Sequence, residues 1–176
     1  MPRPAGDPPR FRMTGTIRRV SAKSARPRPC SIANALSVIG ERWSLLALRE
    51  VFHGVRRFDQ IAANTGASRD VLATRLRKLV DCGVLAKEQY QARPPRYDYT
   101  LTDAGRALQP VLLNLMDWGD RYVTEGEPPT VWQHECGAVL RPRTVCGACG
   151  EPLRPGGSRP VRIGGAAVPE GPGAGG

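Results

Sequence analysis

Two runs of alternating side chains, separated by a proline pair, restrict the possible folds more than any other feature of the sequence. Residues 84–90 and 96–101 both alternate as half-buried β-strands do. Pro94–Pro95 cannot donate hydrogen bonds to a strand ladder, so these residues belong at the tip of a hairpin. Arg93 and Arg96 flank them, and we expect both cations to point outward from a stiff loop. Such a tip suits contact with an acidic partner.

Helical segments that end in glycine precede this hairpin. An apolar stripe over residues 32–39 ends at Gly40, residues 42–52 leave little polar face, and residues 58–64 end near Gly66. Apolar residues three and four positions apart indicate helices that pack one side on a core, and a following glycine is a common helix end. We therefore predict three short helices, of which the second is largely buried.

The next segment, residues 68–83, combines an apolar face with a cationic one. Ser68 is a good N-cap, and Gly83 ends the helix. The apolar face consists of Leu72, Leu76, Leu79 and Val80. The opposite face and its flanks carry Arg69, Asp70, Thr74, Arg75, Arg77 and Lys78. Three helices followed directly by a two-stranded hairpin make a winged helix-turn-helix, and this helix has the position of the recognition helix.

A long amphipathic segment follows the hairpin. Thr102 is a predicted N-cap for a helix over residues 103–125, whose apolar positions form a heptad-like stripe. We expect Pro110 to kink this helix near Arg106, because the carbonyl of that residue loses its hydrogen-bond donor. A domain of this size has little use for such a helix unless it packs on something. A second copy of the chain is the simplest partner.

The expected fold class is therefore mainly α (α+β): a winged helix-turn-helix with a long C-terminal dimerisation helix, followed by a small zinc-ribbon-like segment. The predicted boundaries are residues 30–125 for the DNA-binding and dimerisation domain and residues 130–153 for the ribbon. Residues 1–29 and 154–176 are rich in Pro, Gly and Arg and have no apolar period, so we predict both to be disordered.

The net charge of +10 comes mostly from the N-terminal arm, because residues 1–30 contain eight Arg and Lys against one Asp. Such an arm would strengthen non-specific attraction to nucleic acid, although a solvated tail without a partner explains it equally well. The arm has no continuous apolar region, so we do not expect a secretory signal, whereas a transit peptide is compatible with its composition. No stretch resembles a membrane span. The expected location is the cytoplasm, in association with the nucleoid.

The sequence resembles the HxlR-type winged-helix transcriptional regulators of bacteria and archaea. The resemblance rests on CSIANALSVIGERWSLLALREV, RRFDQI, VLATRLRKLVDCGVL and RPPRYDYTLTDAGRAL, and it covers residues 30 to about 122 in unbroken order. It implies a homodimer with the first and last helices at the interface. It also implies repression or activation at palindromic operators in double-stranded DNA, and we expect a repressor.

Recognition helices read bases from their first turn and contact the DNA backbone further along. The candidates for base contact are Ser68, Arg69, Asp70 and Thr74. The candidates for phosphate contact are Arg75, Arg77 and Lys78 on the helix, with Arg93 and Arg96 on the wing reaching phosphates or the minor groove. The alternatives are a solvated cationic face, a salt bridge from Arg96 to Asp98 or Glu88, and a purely helix-stabilising role for Asp70.

Cys30 precedes the first helix, where the helix N-terminus and the nearby arginines favour a reactive thiolate. Several members of the resembled family sense quinones, aldehydes, disulfide stress or hypochlorite through a cysteine at this place. Redox or electrophile sensing by Cys30 is therefore one hypothesis. The alternative is a small residue that packs the start of the helix. Cys82, at the end of a helix, is interpreted as structural.

The C-terminal sequence HECGAVLRPRTVCGACG contains four potential zinc ligands. His134, Cys136, Cys146 and Cys149 offer one nitrogen and three sulfurs within seventeen residues, which suits tetrahedral structural Zn²⁺. The His-x-Cys spacing departs from the usual pair of C-x-x-C knuckles, so His134 is the least secure ligand. The alternatives are a redox-active cysteine pair and free thiols in a tail.

The sequence contains no recognisable catalytic arrangement. His53 lies in a predicted turn and His134 in the predicted ribbon, and neither has a nucleophile or a carboxylate in a suitable pattern. The Gly-rich stretches lack the strand and helix that a phosphate-binding loop requires. We therefore predict a DNA-binding regulator and not an enzyme. The alternative is a zinc-containing protein-interaction module that binds nucleic acid only non-specifically. The small-molecule effector, if there is one, is unknown.

Overall fold

The structure is a computed structural model that describes residues 28–163 and 166–167. The basic arm predicted for residues 1–29 therefore lies outside the described residues, except for its last two. The same is true of residues 164–165 and 168–176 of the predicted tail.

Six helices and four strands occur in the described residues, and the first four helices confirm the predicted order. They are α1 (Ser31–Ile39), α2 (Arg42–Phe52), α3 (Phe58–Thr65), α4 (Arg69–Asp81), β1 (Leu85–Gln91), β2 (Arg96–Leu101), α5 (Asp103–Arg106), α6 (Gln109–Tyr122), β3 (Arg162–Ile163) and β4 (Ala166–Ala167).

The core forms around α2, on which α1, α3, α4, β2 and α6 all pack. Ala47 and Leu48 of α2 are fully buried, as the apolar character of this helix predicted. The side chains that enclose them come from three other elements and are also fully buried: Ile61, Leu72, Leu76, Leu79 and Leu85. The predicted apolar face of α4 is therefore confirmed as the face that packs on the core.

Three of the predicted helix ends are found at glycines. Gly40 follows α1, and its N–H donates to the carbonyl of Leu36. Gly66 follows α3 with a φ of 72°, and Gly83 follows α4 with a φ of 70°. Glycine adopts such positive φ values without the steric cost that a Cβ brings, so these positions can reverse the chain within one residue.

The hairpin of β1 and β2 is antiparallel, with Leu85 opposite Leu101 and Glu88 opposite Asp98. The first strand begins one residue later than the sequence indicated. Pro94 and Pro95 lie in the connecting turn, and the Arg93–Pro94 peptide is cis. Proline at the tip leaves the ladder intact, because the turn residues have no hydrogen bond to contribute to it.

The prediction of one long helix over residues 103–125 is wrong. The structure contains two helices, α5 and α6, and the second ends at Tyr122. Pro110 occupies the first turn of α6, where its missing N–H costs nothing, and the chain between the helices turns through Ala107 and Leu108. The predicted kink is thus a complete break at the expected place.

Thr102 is confirmed as an N-cap, since its hydroxyl accepts a hydrogen bond from the Gly105 N–H at 3.1 Å.

Among the last described residues, β3 pairs with β4 antiparallel in a second two-stranded sheet. This pairing lies within the stretch that the sequence predicted to be disordered. Among the described helices, none is both long and apolar enough to cross a membrane.

Gly105 provides a test of how closely α5 approaches the hairpin. A Cβ added there would lie 2.2 Å from the carbonyl oxygen of Val84, which is main chain and cannot rotate away. We expect Gly105→Ala to lower the free energy of unfolding by about 1–3 kcal/mol because of this overlap. Gly119→Ala is the matched control, since nothing lies within 4 Å of its added Cβ. We expect that variant to be more stable by about 0.5–1 kcal/mol. Urea denaturation of both variants measures the difference, and equal effects would contradict this account.

Candidate nucleic-acid interface

The turn between α3 and α4 presents the polar side of α4 to solvent. Leu72, Leu76 and Leu79 hold the opposite side in the core, so the orientation of the helix is fixed. Ser68, at the N-cap position, is exposed and has extended backbone angles, but its hydroxyl makes no capping hydrogen bond. The predicted capping contact is therefore absent, and the hydroxyl remains available to another partner.

Arg69 is exposed, and its side chain contacts two residues of α3. Its guanidinium lies 2.7 Å from Oδ1 of Asp59 and 5.0 Å from the centre of the Phe58 ring. Both side chains of the ion pair are more than two-thirds exposed. An ion pair in this environment contributes little free energy, so the guanidinium can exchange Asp59 for an external acceptor.

The other polar side chains of α4 differ in their availability. The Thr74 hydroxyl donates to the carbonyl of Asp70 at 2.9 Å, and both residues are exposed. The guanidinium of Arg75 lies 3.4 Å from Oε2 of Glu41, the N-cap residue of α2. Its side chain is only 25% exposed, and its Nε makes no hydrogen bond within the described residues. We would expect a phosphate-contacting residue at this position to be more accessible than Arg75 is.

Arg77 and Lys78 have no ion pair with another described residue. Arg77 is exposed, and Lys78 is half-buried. The charge of Arg77 acts on the hairpin, because burial and the neighbouring Tyr97 raise the pKa of Tyr99 and Arg77 partly opposes this rise. The charge of Arg77 is therefore felt at Tyr99 of β2.

Arg93 and Arg96 are exposed at the tip of the wing, and among the described residues neither has an acidic partner. The salt bridge considered for Arg96 is not formed, because Asp98 pairs with Arg57 instead. The two wing cations, together with Arg77 and Lys78 of α4, therefore carry charge that no acidic side chain of the described residues pairs with.

The segment before α3 holds the wing against the helices, and the sequence interpretation did not include it among the functional residues. Nε of Arg57 lies 2.8 Å from Oδ1 of Asp98, although the N–H is not aligned for a hydrogen bond. The same guanidinium lies 3.6 Å from the centre of the Tyr90 ring. The Tyr99 N–H donates to the carbonyl of Arg56 at 2.9 Å. The consecutive arginines before Phe58 were the signal in the sequence for this anchor.

All five cysteines are free thiols. Cys30 is exposed at the N-cap position of α1, and Cys82 is exposed at the end of α4. Exposure of Cys82 gives no support to a packing role. Sensing by Cys30 stays a prediction.

The four proposed zinc ligands lie in two successive loops. In the first, residues 133 and 139 pair, and the Cys136 N–H donates to Nδ1 of His134. In the second, the backbone N–H groups of Ala148 and Cys149 donate to Cys146, and together with the Cys149 side chain they lower the pKa of the Cys146 thiol. A thiolate stabilised in this way suits a metal ligand.

The geometry does not yet form a complete metal site. Over residues 28–163 and 166–167, no group of three or more His, Cys, Asp or Glu side chains lies close enough together to hold a metal ion. Cys146 and Cys149 interact, but His134 and Cys136 do not join them. Structural zinc stays a prediction, for which the zinc content of the purified protein is the direct measurement.

Comparison with known proteins identifies relatives over most of the chain. A sequence model of the HxlR-like helix-turn-helix family matches residues 38–127. Rv3095 of Mycobacterium tuberculosis, an uncharacterized HTH-type transcriptional regulator, is 46% identical over 136 residues, which are 76% of this chain and 86% of the relative. YdeP of Bacillus subtilis, described in the same words, is 34% identical over 94 residues, or 53% of this chain and 73% of the relative. The likeness to Rv3095 is longer than the family match, so it extends beyond residues 38–127.

Two solved structures support the same relationship. PA1607, presented as a candidate transcription factor, is 34% identical with a TM-score of 0.67, and the match covers 76% of this chain and 94% of PA1607. The oxidised form of the redox regulator HypR is 28% identical with a TM-score of 0.50, and the match covers 55% of this chain and all of HypR.

The contacts of Arg57 predict how firmly the wing is held. We expect Arg57→Ala to increase hydrogen exchange of the amides in residues 88–98, because both the ion pair and the ring contact are lost. The local opening free energy should fall by about 1–2 kcal/mol. Arg56→Ala is the matched control, because its side chain is exposed and only its carbonyl contacts the wing. Equal exchange in the two variants would show that Arg57 does not anchor the hairpin.

Proposed function

Because this chain belongs to the HxlR-like helix-turn-helix family of transcriptional regulators, we propose that it binds specific sites in double-stranded DNA as a homodimer. We further propose that these sites are palindromic and that binding represses transcription. A two-fold symmetric dimer presents two identical recognition helices, and a palindrome presents the matching half-sites.

The observation that carries this proposal is the group of cations without acidic partners on α4 and the wing. Arg77, Lys78, Arg93 and Arg96 have no ion pair in the described part of the chain. Unpaired cations on one structural unit favour a polyanionic ligand, and a helix next to a wing is the arrangement in which helix-turn-helix proteins contact two adjacent parts of a duplex.

The geometry supports different roles for the two ends of α4. Ser68 and Arg69 begin the helix, and the first turn of a recognition helix is where base edges are usually read. We propose that Arg69 leaves Asp59 and contacts a base, and that Arg77 and Lys78 contact phosphates. Asp70 and Thr74 remain base-contact candidates. Arg75 is proposed only as a secondary phosphate contact because of its pairing with Glu41.

The dimer proposal rests on apolar side chains that nothing in the described chain covers. On α6, Val111, Leu115, Trp118 and Tyr122 recur at helical spacing and are 48–59% exposed. On α1, Ile32 and Leu36 are 70% and 54% exposed. Apolar stripes of this kind on a folded domain usually mark an interface. A second copy of the chain, with first and last helices at the contact, would bury both.

Sensing through Cys30 is a finer proposal about the same regulator. Cys30 is exposed at the start of α1, next to one of the two stripes proposed for the interface. Oxidation or alkylation there would add bulk beside the dimer contact. The redox regulator HypR has the same fold at 28% identity, which makes a redox signal a reasonable first candidate.

Selection of fragmented source genome on the purified reduced protein tests the proposed function. Enrichment of a two-fold symmetric site at near-physiological salt would support a specific dimeric regulator. The same selection after thiol oxidation tests sensing, because loss of the enriched site should require Cys30. Salt-sensitive binding without any preferred sequence would contradict the proposal. It would favour the alternative of a zinc-containing interaction module that contacts nucleic acid only through charge.

The proposed division of α4 predicts different defects for two variants. We expect Arg69→Ala to weaken binding to the selected site by about 1–3 kcal/mol and to relax its sequence preference. We expect Lys78→Ala to weaken all sequences similarly and to reduce the dependence of the affinity on salt by about one ion. Arg141→Ala is the control, since it removes an exposed arginine from the C-terminal segment. Fluorescence anisotropy at several salt concentrations measures all three. Equal affinities of the Arg69 and control variants would refute the assignment.

The proposed interface predicts the effect of a charge on α6. We expect Trp118→Glu to raise the dimer dissociation constant roughly 30-fold or more, because buried tryptophans are common energetic centres of interfaces. The weight-average mass in sedimentation equilibrium should move toward the 19.1 kDa of one chain. Val139→Glu is the matched control, since Val139 is 61% exposed but lies outside both stripes. An unchanged mass for Trp118→Glu would exclude this face from the interface.

A further inference from the structure

A cavity of about 260 Å³ lies between α2, α6 and the segment that follows α6. Its walls are mostly apolar and do not belong to the proposed DNA-binding surface. The two helices contribute most of the apolar lining: Leu45, Leu46 and Phe52 from α2, and Leu112, Leu113, Leu115 and Met116 from α6.

The third wall comes from the C-terminal segment, which is held against the helices by specific contacts. Pro129, Thr130 and Trp132 line the cavity. The ring of Trp132 lies 5.4 Å from that of His53, at the end of α2. Further along, the Thr144 hydroxyl lies 3.3 Å from the side-chain oxygen of Asn114 on α6. The segment beyond the winged helix-turn-helix therefore completes a concave site.

The charged groups of this site are not balanced. Arg49 lines the cavity, but its guanidinium is bound to the buried carboxylate of Glu50 at 2.6 Å, so its charge is neutralised within the protein. Asp120 also lines the cavity and is half-buried. Within the described residues its carboxylate makes no hydrogen bond or ion pair. A half-buried carboxylate without a partner beside apolar walls favours a cation that also carries apolar surface.

We infer that this cavity binds a small lipophilic cation, with the apolar body between α2, α6 and Trp132 and the positive group near Asp120. A cavity of about 150 Å³ with apolar walls holds one benzene ring, so the larger volume here is compatible with a ligand of about two fused rings. His53, next to Trp132 at the wall, adds an aromatic edge to the same site.

A matched series of naphthalene compounds tests both the site and its charge preference. The probes are 1-naphthylmethylammonium, the neutral 1-naphthylmethanol and the anionic 1-naphthoate, which share one apolar body. Isothermal titration calorimetry of the full chain without DNA measures the three dissociation constants. We expect the ammonium to bind roughly twofold to fivefold more tightly than the alcohol, as a partly exposed ion pair allows, and the carboxylate to bind most weakly. No saturable binding of the ammonium, or equal binding of the carboxylate, would overturn the inference.

Two substitutions on α6 separate the role of Asp120 from a general effect of charge. We expect Asp120→Asn to remove the preference for the ammonium over the alcohol while leaving the affinity for the alcohol unchanged. Asp117→Asn is the matched control, because Asp117 already pairs with Arg121 at 3.0 Å and does not line the cavity. Its preference should stay as in the unaltered chain. Persistence of the preference in Asp120→Asn would show that Asp120 does not select the cation.

An effect of the bound ligand on DNA affinity is a separate question, and it alone rests on the proposed function. The cavity joins the central helix of the DNA-binding unit to the helix that carries the proposed dimer stripe. A ligand shifts DNA affinity only if it binds one arrangement of these helices better than the other. Because the calorimetry contains no DNA and the genome selection contains no ligand, each proposal can fail without the other.

Discussion

Burial of α2 is the interaction on which the helical core and the candidate DNA-binding surface depend. Four helices, α1, α3, α4 and α6, and the strand β2 pack directly on this helix. Small residues make this possible, since Ser44 and Ala47 are completely buried and allow neighbouring helices to approach closely. The same helix contains a buried acid, Glu50, whose carboxylate binds Arg49 and also accepts a hydrogen bond from Asn64 of α3 at 2.7 Å. Loss of either partner would leave a buried charge incompletely paired, so this network fixes α3 relative to α2.

The position of the candidate DNA-binding surface follows from this core. Once α3 is fixed, the positive φ of Gly66 sets the direction in which α4 leaves, and the leucines of α4 set its rotation. The wing is then held at two places, by the Thr102 hydroxyl, which donates to the Gly83 carbonyl at 2.6 Å, and by Arg57. Like charges, Glu88 and Asp98, lie opposite each other in the hairpin, and Arg57 offsets the repulsion between them. The wing is therefore held in place partly by a residue from the segment before α3.

Local signals in the sequence were sufficient for the first four helices and for the hairpin of β1 and β2, but not for contacts between distant segments. Glycines after apolar stripes located the ends of α1, α3 and α4, and Pro94–Pro95 located the turn, because backbone constraints act within a few residues. Pro110 was expected to bend a helix. Whether a proline bends or breaks a helix depends on the packing around it, and the periodicity of apolar residues carries no information about that packing. The pairing of Arg57 with Asp98 and the contact of Trp132 with His53 join residues more than forty positions apart. No periodic pattern predicts such pairs, and the cavity that the second pair borders was therefore missed.

The acidic residues around α4 rank the cations by their availability to DNA. The pair between Arg69 and Asp59 is exposed on both sides, so separating it costs about 0.2–1 kcal/mol, which a single charged hydrogen bond to a guanine can exceed. Asp59 would then remain beside the duplex without its partner and would repel the DNA phosphates. Only a site at which Arg69 makes a good base contact would compensate for this repulsion, which favours selective binding. Arg75 is in a different position, because its guanidinium is mostly buried against Glu41 and its withdrawal would disturb the packing of α4 on α2. In the proposed complex, the general electrostatic attraction would come mainly from Arg77, Lys78 and the wing, while Arg69 would add discrimination at the start of the helix.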